Sequence, residues 1–131
     1  MTDRRQILKA GFAGSLLPLG ALGSAARAAE PLSIHRAVYD SRFAAARAFA
    51  AEAKLRGWTT AAIQGDITDL WYHDLHARWR QGPAAVAGVT AANSLFVLER
   101  LAWDAGLRVT SRKQLPNEPL VAWLISPPVR A

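Results

Sequence analysis

From residue 34 onward, apolar and polar positions follow one repeating order. An apolar stretch ends in a polar residue, an amphipathic segment with helical spacing follows, and a glycine closes it. The stretches are IHRAVYD with SRFAAARAFAAEAKLRG, then TTAAIQGD with ITDLWYHDLHARWRQG, then AAVAGVT with AANSLFVLERLAWDAG. The polar junctions Asp40, Asp66 and Thr90 lie 26 and 24 residues apart, and the closing glycines Gly57, Gly82 and Gly106 lie 25 and 24 apart. This punctuation predicts three strand–helix units.

Asp40, Asp66 and Thr90 (or Asn93) suit helix N-caps, because a side-chain oxygen can accept an orphan amide proton of the first turn. The glycines suit the left-handed residue just past a helix end, and Pro83 behind Gly82 reinforces that stop. Ile67, Leu70, Trp71, Leu75 and Trp79 recur at three- and four-residue steps and give the second helix one apolar face. Leu95, Leu98, Leu101, Ala102 and Ala105 do the same in the third. The alanine-rich first helix, with Phe43 and Phe49, should pack closely on a sheet. LRVTS then reads as a fourth parallel strand. The segment EPLVAWLIS reads as a fifth, antiparallel to its neighbour because RKQLPNE is too short for a crossover helix. Pro116, Pro119, Pro127 and Pro128 frame that fifth strand as an edge strand. The expectation is a small three-layer α/β domain over residues 29–131, with a mostly parallel sheet of flavodoxin-like or Rossmann-like architecture, its strand order unread.

Residues 1–28 follow a different logic. Arg4, Arg5 and Lys9 open the chain, and no charge occurs from Ala10 to Ala26. Leu16, Leu17, Leu19 and Leu22 are interleaved there with Gly11, Gly14, Gly20 and Gly23. Small residues then stand at Ala26 and Ala28, as a signal-cleavage site requires. The segment resembles the bacterial twin-arginine (Tat) export signal, Ser/Thr-Arg-Arg-x-Phe-Leu-Lys. Arg4, Arg5, Leu8 and Lys9 match it, Ile7 replaces the usual Phe, and Asp3 replaces the Ser/Thr. The resemblance implies passage of a folded chain through the Tat translocase, cleavage after Ala28, a periplasmic location and no stable membrane span afterwards. An uncleaved N-terminal anchor is the alternative. Its uncharged run is short of the ~20 predominantly apolar residues a spanning helix needs, and it is rich in glycine.

Composition narrows the function classes. Residues 1–28 hold four of the 16 basic residues and one of the 10 acidic ones, so the remaining 103 residues carry only +3. Nucleic-acid binding, which needs a basic stripe in the working protein, is not indicated. There is no cysteine. Disulfides, a thiolate nucleophile, cysteine-ligated clusters and covalent haem attachment are thereby excluded for this sequence. Trp58, Trp71, Trp79, Trp103 and Trp123 let a small core bury a large area.

In open α/β sheets ligands sit beyond the carboxyl ends of the strands. The three junctions bring Asp40, Arg42, Asp66, Thr90 and Asn93 to that edge as a candidate site for a small polar ligand. The simpler and preferred reading is that Asp40, Asp66 and Thr90 (or Asn93) are helix caps alone. Neither G-x-G-x-x-G, a P-loop nor G-x-S-x-G occurs, so no cofactor is evident. Asp69, His73 and His76, at i, i+4 and i+7, form a weak candidate for zinc or copper. His35, on a strand, has no evident reason to be near them. Tyr72, Trp79 and Trp103, if exposed, would suit a partner protein.

The leading reading is a non-catalytic periplasmic accessory or binding protein, and the Tat resemblance, whose cargo often belongs to redox systems, implies service to one. The alternative is a small-ligand-binding protein or small enzyme at the strand ends, and the third is metal handling. For the export signal, a double Arg4→Lys, Arg5→Lys variant is expected to accumulate unprocessed in the cytoplasm, measured by fractionation and immunoblot. Undiminished export would refute the Tat resemblance.

Overall fold

The computed structural model describes residues 33–128. The export-signal positions Arg4, Arg5, Leu8 and Lys9 and the cleavage residues Ala26 and Ala28 lie outside them. Five strands form one sheet: β1 (Ile34–Asp40), β2 (Thr60–Ile63), β3 (Ala85–Thr90), β4 (Arg108–Gln114) and β5 (Val121–Ser126). Between them run α1 (Ala44–Leu55) and a second helix, α2, passing through Thr68–Leu70, Trp71–Leu75 and His76–Arg80. The third helix is α3 (Ala92–Asp104). All three expected strand–helix units are present. Among the described residues, no helix is long and apolar enough to cross a membrane.

The sheet order is β2-β1-β3-β5-β4. β1 pairs parallel with both β2 and β3, whereas β5 pairs antiparallel with both β3 and β4. The sheet is therefore mixed, which corrects the expectation of a mostly parallel one. The position of β5 is corrected as well. All six of its residues are buried, so it is an interior strand. β4 forms the edge instead, with a bulge between Val109 and Ser111 and with Arg108, Arg112 and Lys113 in its exposed positions. Charge and a bulge are the usual means by which an edge avoids pairing with other chains. Pro119 and Pro127 flank β5 outside the ladder and remove no hydrogen bond from it. The β4–β5 hairpin turns through Asn117 at φ 64°, a left-handed conformation that asparagine tolerates well.

Two separate apolar clusters lie on the two faces of the sheet, which gives the three layers. One joins Phe49, Ala46 and Ala53 of α1 to Ala37, Val89 and Leu124. The alanines let that helix sit close to the strands. The other joins Leu75 and Trp79 of α2 and Leu95 and Leu98 of α3 to Val38, Val86 and Trp123.

The interior position of β5 depends on one contact. Trp123 is fully buried and lies against Gly88, its cross-strand partner in β3, where a Cβ would overlap the indole ring. The indole N–H donates to Thr90 Oγ1 at 3.0 Å.

The middle of α2, Trp71–Leu75, is a π-turn. Ile67, Trp71, Leu75 and Trp79 are spaced four apart. Each four-residue step drifts by about 40° around a regular α-helix. One wider turn absorbs part of that drift, and Ile67, Leu75 and Trp79 are all buried.

Gly88→Ala is expected to cost about 3 kcal/mol or more by overpacking against Trp123. Trp123→Phe, which keeps most of the ring but removes the buried N–H donor, should cost about 2 kcal/mol. Urea unfolding of the two variants measures both, and a near-neutral Gly88→Ala would contradict the packing described.

Candidate functional site at the strand ends

β1 and β3 are neighbouring parallel strands, but the chain leaves β1 for α1 on one face and β3 for α3 on the other. Such a divergence marks the switch point beyond whose carboxyl ends ligands usually sit in open α/β sheets. Asp40 ends β1 and Thr90 ends β3, and both are fully buried.

Asp40 does not cap α1. The N-cap is Phe43, without a side-chain bond. Asp40 instead grips Arg42: its Oδ1 accepts the Arg42 backbone N–H at 3.1 Å and Nε–H at 2.9 Å, and Oδ2 accepts Nη2–H at 2.7 Å. The half-exposed guanidinium lies 5.3 Å from the Phe43 ring centroid and against the Cα of Gly65. Gly65 is required there twice over, by φ +88° and because a Cβ would stand 2.8 Å from Arg42 Nη2. Arg42, through its hydrogen bonds, holds the Asp40 carboxyl below the ordinary aspartate range, with burial opposing.

Asp66 is exposed and leads into α2, its Oδ1 accepting the Thr68 amide at 2.9 Å. Thr68 lowers the Asp66 pKa, so this carboxylate is ionised and partly committed. Thr90 is not a cap either. Its hydroxyl accepts the Trp123 indole N–H and donates to Ala91 O at 3.0 Å, so its one proton is committed. Asn93 Oδ1 accepts the Ser94 amide at 2.9 Å within the first turn of α3, where no side chain caps from Ala91. Of the sequence-predicted site residues, Asp66 and Asn93 meet across a cleft of about 160 Å³ that Gly65, Thr68, Ser94 and Val97 also line. Asp40 and Thr90 sit buried behind it as structural partners. Ser94, at the same sequence junction as Thr90 and Asn93, is buried with its hydroxyl unpartnered. Chemically the edge offers one ionised carboxylate, hydroxyls and helix amides. Both acids are shifted downward, away from the range of a group poised to exchange protons near neutrality.

The metal candidate is dispersed. Asp69 and His73 line a second cleft of about 560 Å³ with Ser41, Gln64 and Asp66. His76, beyond the π-turn, belongs to a groove of about 520 Å³ between α2 and α3, where its ring lies 5.1 Å from that of Trp71. Among the described residues no three metal-ligating side chains converge. His35 is near α2 after all. Its Nε2 stands 2.8 Å from Asp74 Oδ1, and Arg36 Nε stands 2.8 Å from Oδ2 as an ion pair. The signal for that contact was the polar His-Arg pair at the start of an otherwise apolar strand.

No family model, no curated protein and no solved structure matches this chain. The functional reading therefore rests on its own surface chemistry. Trp79 is buried, whereas Tyr72 and Trp103 are exposed, as is Phe96.

Asp40 supplies the pH prediction. Because its folded-state pKa is depressed, its contribution to stability is present above the unfolded aspartate value and is lost as pH falls through the folded one. The stability gap between wild type and Asp40→Asn should therefore be largest near neutrality and close on acidification, read by urea unfolding across pH. A gap independent of pH would contradict the Asp40–Arg42 grip.

Proposed function

We propose that the protein is a non-catalytic accessory protein, exported to the periplasm by the Tat route, that docks on a partner protein through the outer face of α3. The observation that carries this reading is the composition of that face. Phe96 is 60% exposed and Trp103 47% exposed, two turns apart on one stripe of the helix, while Leu95, Leu98 and Ala102 fill the core from its inner side. A domain with room for Trp123 and Phe49 in its core has no packing reason to leave these rings in water.

The chemistry around Trp103 adds a preference. Arg100 lies 5.2 Å and Arg108 5.6 Å from its ring, both in cation–π range. Tryptophan and arginine are the residue types that most often carry binding energy at interfaces. Their clustering favours a partner surface with an acidic rim and an apolar centre. The Tat resemblance supports a setting among folded exported cargo, periplasmic redox enzymes included. The downward-shifted acids at the strand ends favour binding over catalysis.

The test is capture of a partner from periplasm of the native host by the processed protein, followed by affinity measurement on the purified pair. Trp103→Ala combined with Phe96→Ala should weaken that pair by roughly 30-fold or more, the effect of losing about 2 kcal/mol at an interface centre. Circular dichroism should be unchanged, since both rings are exposed. An affinity unaffected by the double variant would remove α3 from the interface.

A further inference from the structure

α2 and α3 each follow a strand of the parallel set and return across the same face of the sheet, so their last turns lie at one end of the molecule. The groove of about 520 Å³ between them has unlike walls. α2 lines it with the rings of Trp71, His76 and Trp79, and α3 lines it with Leu101 and, just past its end, Ala105. A mostly apolar cleft of this size with a few polar groups is the usual form of a small-ligand site.

The π-turn assembles the ring wall. In a regular α-helix, side chains five residues apart point about 140° away from each other. Here the His76 amide donates to Trp71 O, one residue further back than an α-helical bond, and the wider turn brings the two side chains together. Their ring centroids are 5.1 Å apart, and those of Trp71 and Trp79 are 5.7 Å apart, edge to face. Core packing accounts for the buried Leu75 and Trp79, but it does not require the exposed His76 to stand beside Trp71. Single π-turns of this kind recur at functional sites.

Two charges complete the groove. Arg80 ends α2 and Asp104 ends α3, and both are exposed and line it. Neither belongs to an ion pair among the described residues, with the other or with any third side chain. An open pair of opposite charges at one end of an apolar slot complements a ligand that carries both charges on its head. A bare cation would meet Arg80, and a bare anion would meet Asp104. The rings of α2 favour a flat aromatic body over an aliphatic one, because stacked or edge-on ring pairs gain beyond their buried area.

We propose that the groove between α2 and α3 binds a free amino acid with an aromatic side chain. Its carboxylate pairs with Arg80, its ammonium with Asp104, and its ring lies between Trp71 and Leu101. The site uses none of Phe96, Arg100, Trp103 and Arg108, so it stands whether or not the outer face of α3 docks a partner.

The probes are L-phenylalanine, L-alanine, phenethylamine and 3-phenylpropanoate, titrated into the purified protein and followed by the tryptophan indole N–H resonances. L-phenylalanine should shift that of Trp71 and leave that of Trp123, bonded to Thr90 in the core, in place. The other three probes, each lacking the ring or one charge, should bind about fivefold or more weakly. Arg80→Gln should weaken L-phenylalanine about fivefold without weakening phenethylamine, the upper range for an exposed ion pair. Asp104→Asn should weaken L-phenylalanine to the same extent without weakening 3-phenylpropanoate. Both residues are exposed, and circular dichroism should be unchanged in both variants. The proposal is overturned if L-alanine matches L-phenylalanine, which would leave the ring wall without a part, or if phenethylamine or 3-phenylpropanoate matches it, which would describe a one-charge site. It is equally overturned if no probe shifts the Trp71 indole at concentrations up to about 50 mM, a range that covers even very weak binding.

Discussion

The contact on which the rest of the sheet depends is the indole of Trp123 laid across the backbone at Gly88. It settles which strand follows β3. A Trp in β5 needs a neighbour with no side chain at the paired position, and β3 provides one in Gly88. The indole N–H then binds the Thr90 hydroxyl, and that hydroxyl binds Ala91 O. One ring thus fixes the pairing of β5, the end of β3 and the direction in which the chain departs into α3. In a buried setting each of these bonds costs more to break than it contributes when made, which gives the arrangement its specificity.

The two faces of the sheet solve different problems. Against α1 the residues are mostly alanine, and close approach replaces bulk. Against α2 and α3 they are leucine, isoleucine and tryptophan, and here the helices stand off far enough to leave a groove floored by Trp71, Trp79 and Leu101. The π-turn belongs to this second face. It keeps Leu75 and Trp79 on the sheet and swings His76 away from Asp69 and His73, which separates residues that a regular helix would hold together.

Much of this was legible in the sequence because it depends on local chemistry. Glycines at Gly57, Gly82 and Gly106 do adopt positive φ, and the apolar faces of α2 and α3 do face the sheet. What was not legible depends on partners distant in sequence. The prolines around β5 suggested an edge, but the unbroken apolar run Leu120–Ile125 is the pattern of a strand covered on both faces, and that pattern decides its place. Asp40 has the right side chain for a cap, yet an arginine two residues later offers three donors and takes it. The three- and four-residue steps in α2 are those of an ordinary helix and did not announce the π-turn. The place of Ser94 at the third junction was legible, but the isolation of its hydroxyl follows from what surrounds it in the fold.

α3 shows how one helix can hold a fold together and still present chemistry. Ser94, Leu95, Leu98 and Ala102 point inward, Val97 reaches the cleft at its N-terminal end, and Phe96, Arg100 and Trp103 face solvent. The inward set anchors the helix to β4 and β5, and the outer side chains add only surface contacts such as Arg108 against Trp103. Substitutions on the outer stripe and in the cleft share few neighbours and should act nearly independently. α1 exposes Arg47, Lys54 and Leu55 among its alanines, whereas the clefts at the strand ends are lined by α2 or α3, the helix that also leaves Phe96 and Trp103 exposed.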